Sequence, residues 1–116
     1  MGLNNNGRNK AADGVTAVAV FVSAHTADPG TTGTNEVTGG SPAYARKAIT
    51  WSAASSGSAA SSNSPVLDIP ASTTVTHIGF WSAATSGTFY GSADVTDEAF
   101  GGQGTYTLSS ATVAVT

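Results

Sequence analysis

The residue types that could support hydrolysis are present, but their arrangement is not that of a hydrolase. The chain holds fifteen serines and two histidines, His25 and His77, and a serine nucleophile needs a base held beside it. No Gly-x-Ser-x-Gly motif occurs, and many of the serines fall in the low-complexity stretch from Ser52 to Ser64. The sequence therefore predicts no catalytic residues and a protein that is not an enzyme.

Side chains that could bind a metal lack the spacing of a recognisable site. His25, Asp28, Glu36 and His77 are not arranged at i, i+4 or in the short-loop spacing that marks zinc sites. A structural role is the favoured interpretation: His25 ends a strand and hydrogen-bonds the turn at Asp28, and His77 lies among strand neighbours. We therefore predict no metal and no cofactor.

Two polar segments near the C-terminal end were considered as ligand sites. The acidic run from Asp94 to Glu98 could attract calcium, but it lacks the spaced Asp/Asn/Gly loop of a calcium site. The segment Gly101-Gly102-Gln103-Gly104 lacks the lysine and the strand-to-helix setting of a phosphate-binding loop. A solvated turn is the favoured interpretation of the first segment, and the second leads into the last predicted strand.

Four large aromatic residues, Tyr44, Trp51, Trp81 and Tyr90, could form a platform for sugar binding. The chain has few other large apolar side chains, because much of its apolar content is alanine. A thin core can hardly spare its largest members. The favoured interpretation is that the two tryptophans anchor the core or an interface, with carbohydrate binding as the alternative.

Composition and charge limit the possible partners. Ala, Gly, Ser and Thr make up more than half of the 116 residues, only 9% are charged, and the net charge is -3. All four basic residues precede residue 48, and no cluster could neutralise several phosphates, so we expect no nucleic-acid partner. No segment approaches the roughly 20 apolar residues that span a bilayer, so we expect no membrane partner. The chain contains no cysteine.

Alternation and turn residues predict six to eight short strands. The stretch from Val18 to Ser23 alternates with apolar residues on both faces, which is typical of a strand packed on both sides. Asp28-Pro29-Gly30 predicts the turn that follows it. The further predicted strands are Tyr44 to Trp51, Val66 to Ile69, Thr74 to Ser82, Thr88 to Val95, and Tyr106 to Thr116 with a break near Ser109.

These elements predict an all-β fold, a small antiparallel β-sandwich or jelly-roll-like domain. Residues 1–14 are predicted to form a short N-terminal arm or a weak helix of one or two turns, because Asn and Gly are poor helix formers. Residues 15–116 are predicted to form the single β-sandwich domain. A core this light favours stabilisation by neighbouring chains.

A near-repeat indicates two related hairpins. Trp51-Ser-Ala-Ala-Ser-Ser-Gly57 recurs thirty residues later as Trp81-Ser-Ala-Ala-Thr-Ser-Gly87. Each copy ends a predicted strand, and each closes with a Ser-Gly pair that suits a tight turn. The low-complexity stretch is therefore interpreted as structured.

Five segments together resemble a family of short virion proteins from tailed phages of actinobacteria. These segments are His25-Thr-Ala-Asp-Pro-Gly30, Gly33-Thr-Asn-Glu-Val37, Gly40-Ser-Pro-Ala-Tyr-Ala-Arg46, Val75-Thr-His-Ile-Gly-Phe-Trp81 and Thr88-Phe-Tyr-Gly91. The resemblance implies a virion component, of a kind described as either a head-decoration or a tail-fibre protein. It implies no catalytic residue, metal or cofactor.

The resemblance and the chain length lead to the functional prediction. A fibre usually needs a long shaft or a coiled coil, so the sequence favours a capsid decoration protein that stabilises the major-capsid shell. The alternative is a tail-fibre or tail-associated adhesin that contacts host glycan, through the Thr31 to Ser41 loop and exposed aromatic residues. The predicted location is the outer surface of the virion, on the capsid rather than the tail, after synthesis in the host cytoplasm.

The predicted partners are the major capsid protein and further copies of the chain, which makes a homo-oligomer on the particle. The N-terminal arm is expected to become ordered on docking. The residues predicted to contact partners are Leu3, Arg8, Lys10, Tyr44, Arg46 and Tyr90.

Overall fold

A computed structural model describes residues 2–115 as one helix and eight strands. Met1, the first residue of the predicted arm, and Thr116, the last of the predicted terminal strand, lie outside the described residues. Helix α1 and strands β1 to β8 have the following bounds: α1 Asn5–Thr16, β1 Phe21–His25, β2 Lys47–Ala48, β3 Ser58–Ala60, β4 Val66–Ile69, β5 Thr73–Trp81, β6 Phe89–Phe100, β7 Gly104–Thr107 and β8 Thr112–Ala114.

The strands form three antiparallel sheets, which confirms the prediction of a small all-β domain. The largest has the order β2-β1-β5-β6, and the other two are the pairs β3-β8 and β4-β7. The described part of the chain measures 48 × 25 × 24 Å along its principal axes, so it is about twice as long as it is wide.

Helix α1 is longer than the one or two turns expected from the sequence. The Asn4 side chain caps it by accepting a hydrogen bond from the Gly7 amide at 2.9 Å. The helix runs through Gly14 to Thr16, and its last turn continues to Ala19, whose amide donates to the oxygen of Val15 at 2.8 Å. The expected strand at Val18 is therefore wrong at its start, and β1 begins at Phe21.

Strand β1 is packed on both sides, as its alternation predicts. Val22 and Ala24 are buried on one face, and Ser23 and His25 are buried on the other. The main apolar cluster consists of buried residues from β1, β4, β5 and β7 and from three positions outside the strands: Val22, Ala24, Val37, Ile49, Leu67, Ile69, Val75, Ile78, Tyr106 and Leu108. It contains no tryptophan or phenylalanine that is fully buried, so the core is built from medium-sized side chains.

The strand predicted from Tyr44 to Trp51 is largely irregular. Only Lys47 and Ala48 pair with β1, as β2. Beyond β2, the Asn63 side chain accepts from the Thr50 amide at 2.9 Å and donates to the oxygen of Ala48 at 3.1 Å, so a side chain takes the place of a neighbouring strand. The strand predicted from Val66 to Ile69 is confirmed, and the predicted break after Tyr106 separates β7 from β8.

Both copies of the repeated segment end in the same unusual backbone conformation. Ser56 and Gly57 have φ angles of 52° and 78°, and Ser86 and Gly87 have φ angles of 53° and 80°. In the first copy these residues form a tight two-residue turn, which requires two successive positive φ angles. In the second copy they lie in a longer loop between β5 and β6, which the bond from the Ser82 amide to the Thr88 oxygen closes. Two hairpins of related sequence are therefore confirmed, with loops of different length.

Candidate functional site

Arg46 is the centre of a compact polar cluster at one end of the large sheet. Its Nε and one terminal nitrogen donate to the two carboxylate oxygens of Glu36, each at 2.9 Å. The other terminal nitrogen donates to the backbone oxygens of Ala83 and Ser86, at 3.1 and 2.8 Å. The planar guanidinium fits this arrangement because its donors are fixed in a fork. Arg46 thereby ties the segment before β2 to the second hairpin turn.

The Arg46 guanidinium also lies over the Trp81 ring, 3.6 Å from its centroid. Trp81 is only 8% exposed, and its ring packs against Phe89 with centroids 5.0 Å apart. Gly33 lies against the same ring, and a Cβ at that position would overlap it. Glycine is required at residue 33 for this close approach as well as for its φ of 78°. Trp81 is therefore an internal anchor.

Tyr44 completes the cluster from the side of β1. Its hydroxyl donates to Glu36 Oε2 at 2.7 Å and accepts from the Ala24 amide at 3.0 Å. Burial, followed by the hydrogen bond to Glu36, raises the pKa of Tyr44 far above its ordinary value. Burial alone would raise the pKa of Glu36, but hydrogen bonds from Arg46 and Tyr44 outweigh it and hold that pKa below the ordinary value. Glu36 is therefore ionised and its charge is neutralised internally.

A chain of buried hydrogen bonds runs along the face of β1 that carries Ser23 and His25. Trp81 Nε1 donates to Ser23 Oγ at 2.8 Å, Ser23 Oγ lies 2.6 Å from His25 Nε2, and His25 Nδ1 lies 2.8 Å from the oxygen of Thr34. A backbone oxygen can only accept, so His25 Nδ1 carries the proton and Nε2 accepts from the Ser23 hydroxyl. Each link has one direction, and the chain connects β5, β1 and the loop after β1.

Ser23 and His25 have the spacing of a nucleophile and its base. Both are buried, however, and both are already bonded to other parts of the fold. Both residues have no exposed surface. The third partner is the neutral oxygen of Thr34 where a triad has a carboxylate, and Ser23 Oγ already accepts from Trp81. A substrate cannot reach Ser23 Oγ in this arrangement, so the pair serves to join the strand to its neighbours.

His25 differs from its predicted role in one respect. It ends β1 as expected, but it bonds Thr34 and Ser23 and not the turn at Asp28. Asp28 Oδ1 accepts from the Gly30 amide at 2.8 Å, and this short-range bond is available without His25. Burial, the largest cause, lowers the pKa of His25 below its ordinary value, which keeps the imidazole neutral for its two hydrogen bonds.

The six residues predicted to contact partners lie in three separate places. Tyr44 and Arg46 point into the cluster just described, and only 8% of the Arg46 side chain is exposed. Tyr90 lies on β6 and is 44% exposed. The other three belong to the N-terminal region: Leu3, Arg8 and Lys10.

In the N-terminal region the predicted residues differ in exposure. Leu3 is 43% exposed and Lys10 is exposed on α1. Arg8 is half-buried and donates to the oxygen of Leu3 at 2.8 Å and to the side chain of Asn5. Residues of α1 in turn hold the first hairpin, because the Gly57 amide donates to Asn9 Oδ1 at 2.7 Å.

Tyr90 borders an apolar groove of about 340 Å³. The groove lies between β6, β8 and the end of α1, and its lining includes Val15, Phe80, Tyr90 and Val113. Val15 and Tyr90 are among the exposed large apolar residues of the molecule. At this groove a residue predicted to contact a partner meets an open apolar surface.

Residues 2–115 contain no group of three or more His, Cys, Asp or Glu side chains close enough to share a metal ion. No helix within the same residues has the length and apolar character needed to cross a bilayer.

The sequence singles out His25 and Glu36 without relating them to their partners Ser23 and Arg46, and it gives Ser23 no role beyond a strand position. Ser23 and His25 are two residues apart on a strand and therefore share a face, which is a signal available from the sequence. Glu36 gave no such signal, because the segment between it and Arg46 has no regular structure that would relate the two. The pairing of Glu36 with Arg46 is set by the tertiary fold.

The fold and these contacts define a strand-rich domain whose charged and aromatic residues mostly stabilise its own loops. Residues 3–116 match the family model described as podophage GP4 fiber I protein gp80, and the chain belongs to this family of phage fibre proteins. The resemblance to phage virion proteins is thereby confirmed at the level of the virion component, whereas an actinobacterial host and a head-decoration role stay predictions. The comparisons with curated proteins and with solved structures gave no match.

Proposed function

We propose that this protein is a structural subunit of a fibre on the tail of a phage particle. The observation that carries the proposal is the family match, which extends over residues 3–116. Because the match covers nearly the whole chain, the fibre-family character belongs to the entire domain and not to a short attachment segment. The virion role expected from the sequence stands, and the tail-fibre alternative is favoured over capsid decoration.

The short chain is compatible with a fibre. A fibre built from one chain needs a long shaft or a coiled coil in that chain, and this is why the sequence favours capsid decoration. The domain is elongated, at 48 × 25 × 24 Å, so several copies could form a projecting structure together. Self-association is therefore part of this proposal, and broad surfaces of Ser, Thr and Ala with few charges suit it, because covering them carries little desolvation cost.

Localisation on the virion tests the proposal. Purified particles would be imaged by cryo-electron microscopy, and the domain would be fitted into density at the tail and at the head. We expect density for this chain in projections from the tail, at far fewer copies than the major capsid protein. Density repeated over the capsid lattice would contradict the proposal and support the decoration role, with the major capsid protein as partner.

Binding of host glycan is a second candidate function, and the exposure of Tyr90 beside the groove favours it. Of the aromatic residues considered for sugar binding, Tyr44 and Trp81 are used in internal contacts, whereas Tyr90 is exposed beside the apolar groove. Sugars stack on exposed aromatic faces in such positions. A glycan array with the native protein and with Tyr90→Ala tests this. Binding that the Tyr90 substitution leaves unchanged, or no binding, would count against the groove as a glycan site.

A further inference from the structure

Strand β6 is a long edge strand with an open side. It has twelve residues, and eight of them are exposed. Within residues 2–115 it pairs only with β5, so one side of its backbone has no neighbouring strand. Such a row of free donors and acceptors is a template for pairing with another chain, and proteins usually shorten, cover or charge it.

The charges on β6 are all of one sign. Asp94, Asp97 and Glu98 lie between the middle of the strand and its C-terminal end, and the Asp94 side chain is 82% exposed. The nearest group that could carry a positive charge is His77, whose Nε2 lies 3.9 Å from Asp94 Oδ1. Within residues 2–115 no lysine or arginine forms an ion pair with these three carboxylates. This part of the edge is therefore an acidic surface that no lysine or arginine neutralises.

The acidic residues disfavour a second copy as the neighbour of β6. Three residues of β6, 95–97, lie opposite the single residue Thr76 of β5, so the strand bulges there. Two β6 strands that overlapped antiparallel in this region would bring carboxylates of the two copies close together. Like charges that lie directly opposite each other destabilise a strand pair, and opposite charges stabilise it. The same carboxylates therefore select against self-pairing and in favour of a strand that carries lysine or arginine.

The first five residues of β6, from Phe89 to Ala93, carry no charge and can accept apolar side chains. Residues from Tyr90 to Ala93 border the apolar groove, whose other wall includes β8. Strand β8 pairs only with β3 within the described residues. A Cβ placed on Gly91 would meet no atom within 4 Å, so another backbone can approach the strand closely there.

We infer that the free edge of β6 binds an extended, cationic segment of a partner protein as an added β-strand. The backbone of β6 supplies the hydrogen bonds, the groove beside Tyr90 receives alternate apolar side chains, and Asp94, Asp97 and Glu98 pair with the cationic ones. The inference rests on the strand, its charges and the groove, and it does not depend on the location of the protein in the virion.

Synthetic peptides test this inference with the complete, isotope-labelled protein. The probe is an eight-residue peptide in which lysine alternates with valine. One control peptide has glutamate in place of lysine, and a second is the lysine peptide with alternate amides N-methylated, which removes strand pairing but keeps the charge. Amide chemical shifts would report where each peptide binds and how tightly.

We expect the lysine peptide to shift amides of residues 89–99 and of the groove, and neither control to do so. Replacing the three carboxylates together, by Asp94→Asn, Asp97→Asn and Glu98→Gln, should weaken binding about tenfold, since each exposed pair contributes a fraction of a kcal/mol. Asp68→Asn on β4 removes an acid elsewhere and should leave binding unchanged.

Three results would overturn the inference, and all can be obtained without any variant. They are the absence of shifts up to the solubility limit of the lysine peptide, equal binding of the N-methylated peptide, and shifts confined to surfaces away from β6. Equal binding of the glutamate peptide would also remove the role given to the acidic residues.

Discussion

The buried hydrogen bonds through His25 depend on the protonation state of a single imidazole. Nδ1 must carry a proton for Thr34, and Nε2 must be free to accept from Ser23. The charged groups that face His25 act in both directions: Glu36 raises its pKa, and Arg46 and His77 lower it. Burial is the largest cause and keeps the ring neutral, so the packing of β1 includes a group that responds to acid.

Mild acid is expected to destabilise the folded protein through His25. The unfolded chain binds the proton near the ordinary pKa of 6.5, whereas the folded pKa is lower. The unfolded state therefore holds more protons below pH 6.5. The free energy of unfolding decreases as the pH is lowered from 6.5, until the pH passes the folded pKa. One group contributes a slope of at most about 1.4 kcal/mol per pH unit. Urea unfolding followed by tryptophan fluorescence between pH 7.5 and 5 measures it.

Two controls separate His25 from other titrating groups. Glu36 has its pKa lowered from 4.5, so the stability it contributes is lost only at more acidic pH than this window. His25→Gln should flatten the slope between pH 6.5 and 5. A slope that persists in the His25 variant would refute this account.

Trp81 is expected to be a major contributor to stability, in contrast to Tyr90 on the adjacent strand. Trp81 combines burial, the stack with Arg46 and the bond to Ser23, so Trp81→Ala should lower the free energy of unfolding by about 3–5 kcal/mol. Tyr90 is exposed, so Tyr90→Ala should change it by less than about 0.5 kcal/mol. Denaturant unfolding of the two variants gives the comparison. Similar losses would mean that the two rings are buried alike.

At the scale of elements, turns and alternation were predicted well and tertiary pairing was not. Val66–Ile69 and the repeated Ser-Gly turns were found because both signals are local. The segment from Tyr44 to Trp51 alternates like a strand. Tyr44 and Arg46 nevertheless lie outside any strand, and their side chains donate hydrogen bonds to Glu36. Arg46 gains five hydrogen-bonding or stacking contacts there that no local pattern encodes, and burial of a charged side chain requires such partners.

The first Ser-Gly turn is expected to need its glycine more than an ordinary left-handed position does. Gly57 has φ of 78°, and a Cβ there would lie 2.9 Å from Cβ of Arg8 on α1. Gly30 has φ of 64° with no atom within 4 Å of such a Cβ, so it is the matched control. Gly30→Ala should cost about 1 kcal/mol for the backbone alone. Gly57→Ala should cost at least about 1 kcal/mol more, because α1 must also shift. Equal losses in thermal or urea unfolding would contradict this contact.

At the scale of the whole molecule, α1, β3 and β8 form a unit with few buried apolar residues. Only Ala12 of α1 and Ala59 of β3 are buried, and no residue of β8 is. The large sheet and the β4–β7 pair contain most of the core residues. The unit is held largely by bonds from side chains of α1 to the first hairpin, from Asn9 to the Gly57 amide and from Asp13 to the Ala54 amide.

This difference bears on the N-terminal arm expected from the sequence. The helix docks on the domain within the single chain, but the contacts that hold it are small residues and exposed hydrogen bonds. Its first turn has no acidic residue and its last turn no basic one, so charge does not support it either. Ordering of this region on the particle stays a prediction, and the free protein supplies the test of how firmly it is held.

Hydrogen exchange should show that α1, β3 and β8 open together before the large sheet does. Opening free energies follow local burial, so amides of these three elements should exchange faster than those of β1 and β5. Asn9→Ala removes the bond to Gly57 and should speed exchange throughout α1, β3 and β8 while leaving β1 and β5 unchanged. Asn63→Ala is the matched control, since Asn63 bonds Thr50 and Ala48 beside β2, and it should leave α1 unaffected. If α1 instead exchanges as slowly as β5, or if Asn63→Ala accelerates it equally, the domain opens as a single unit and the helix is an integral part of its core.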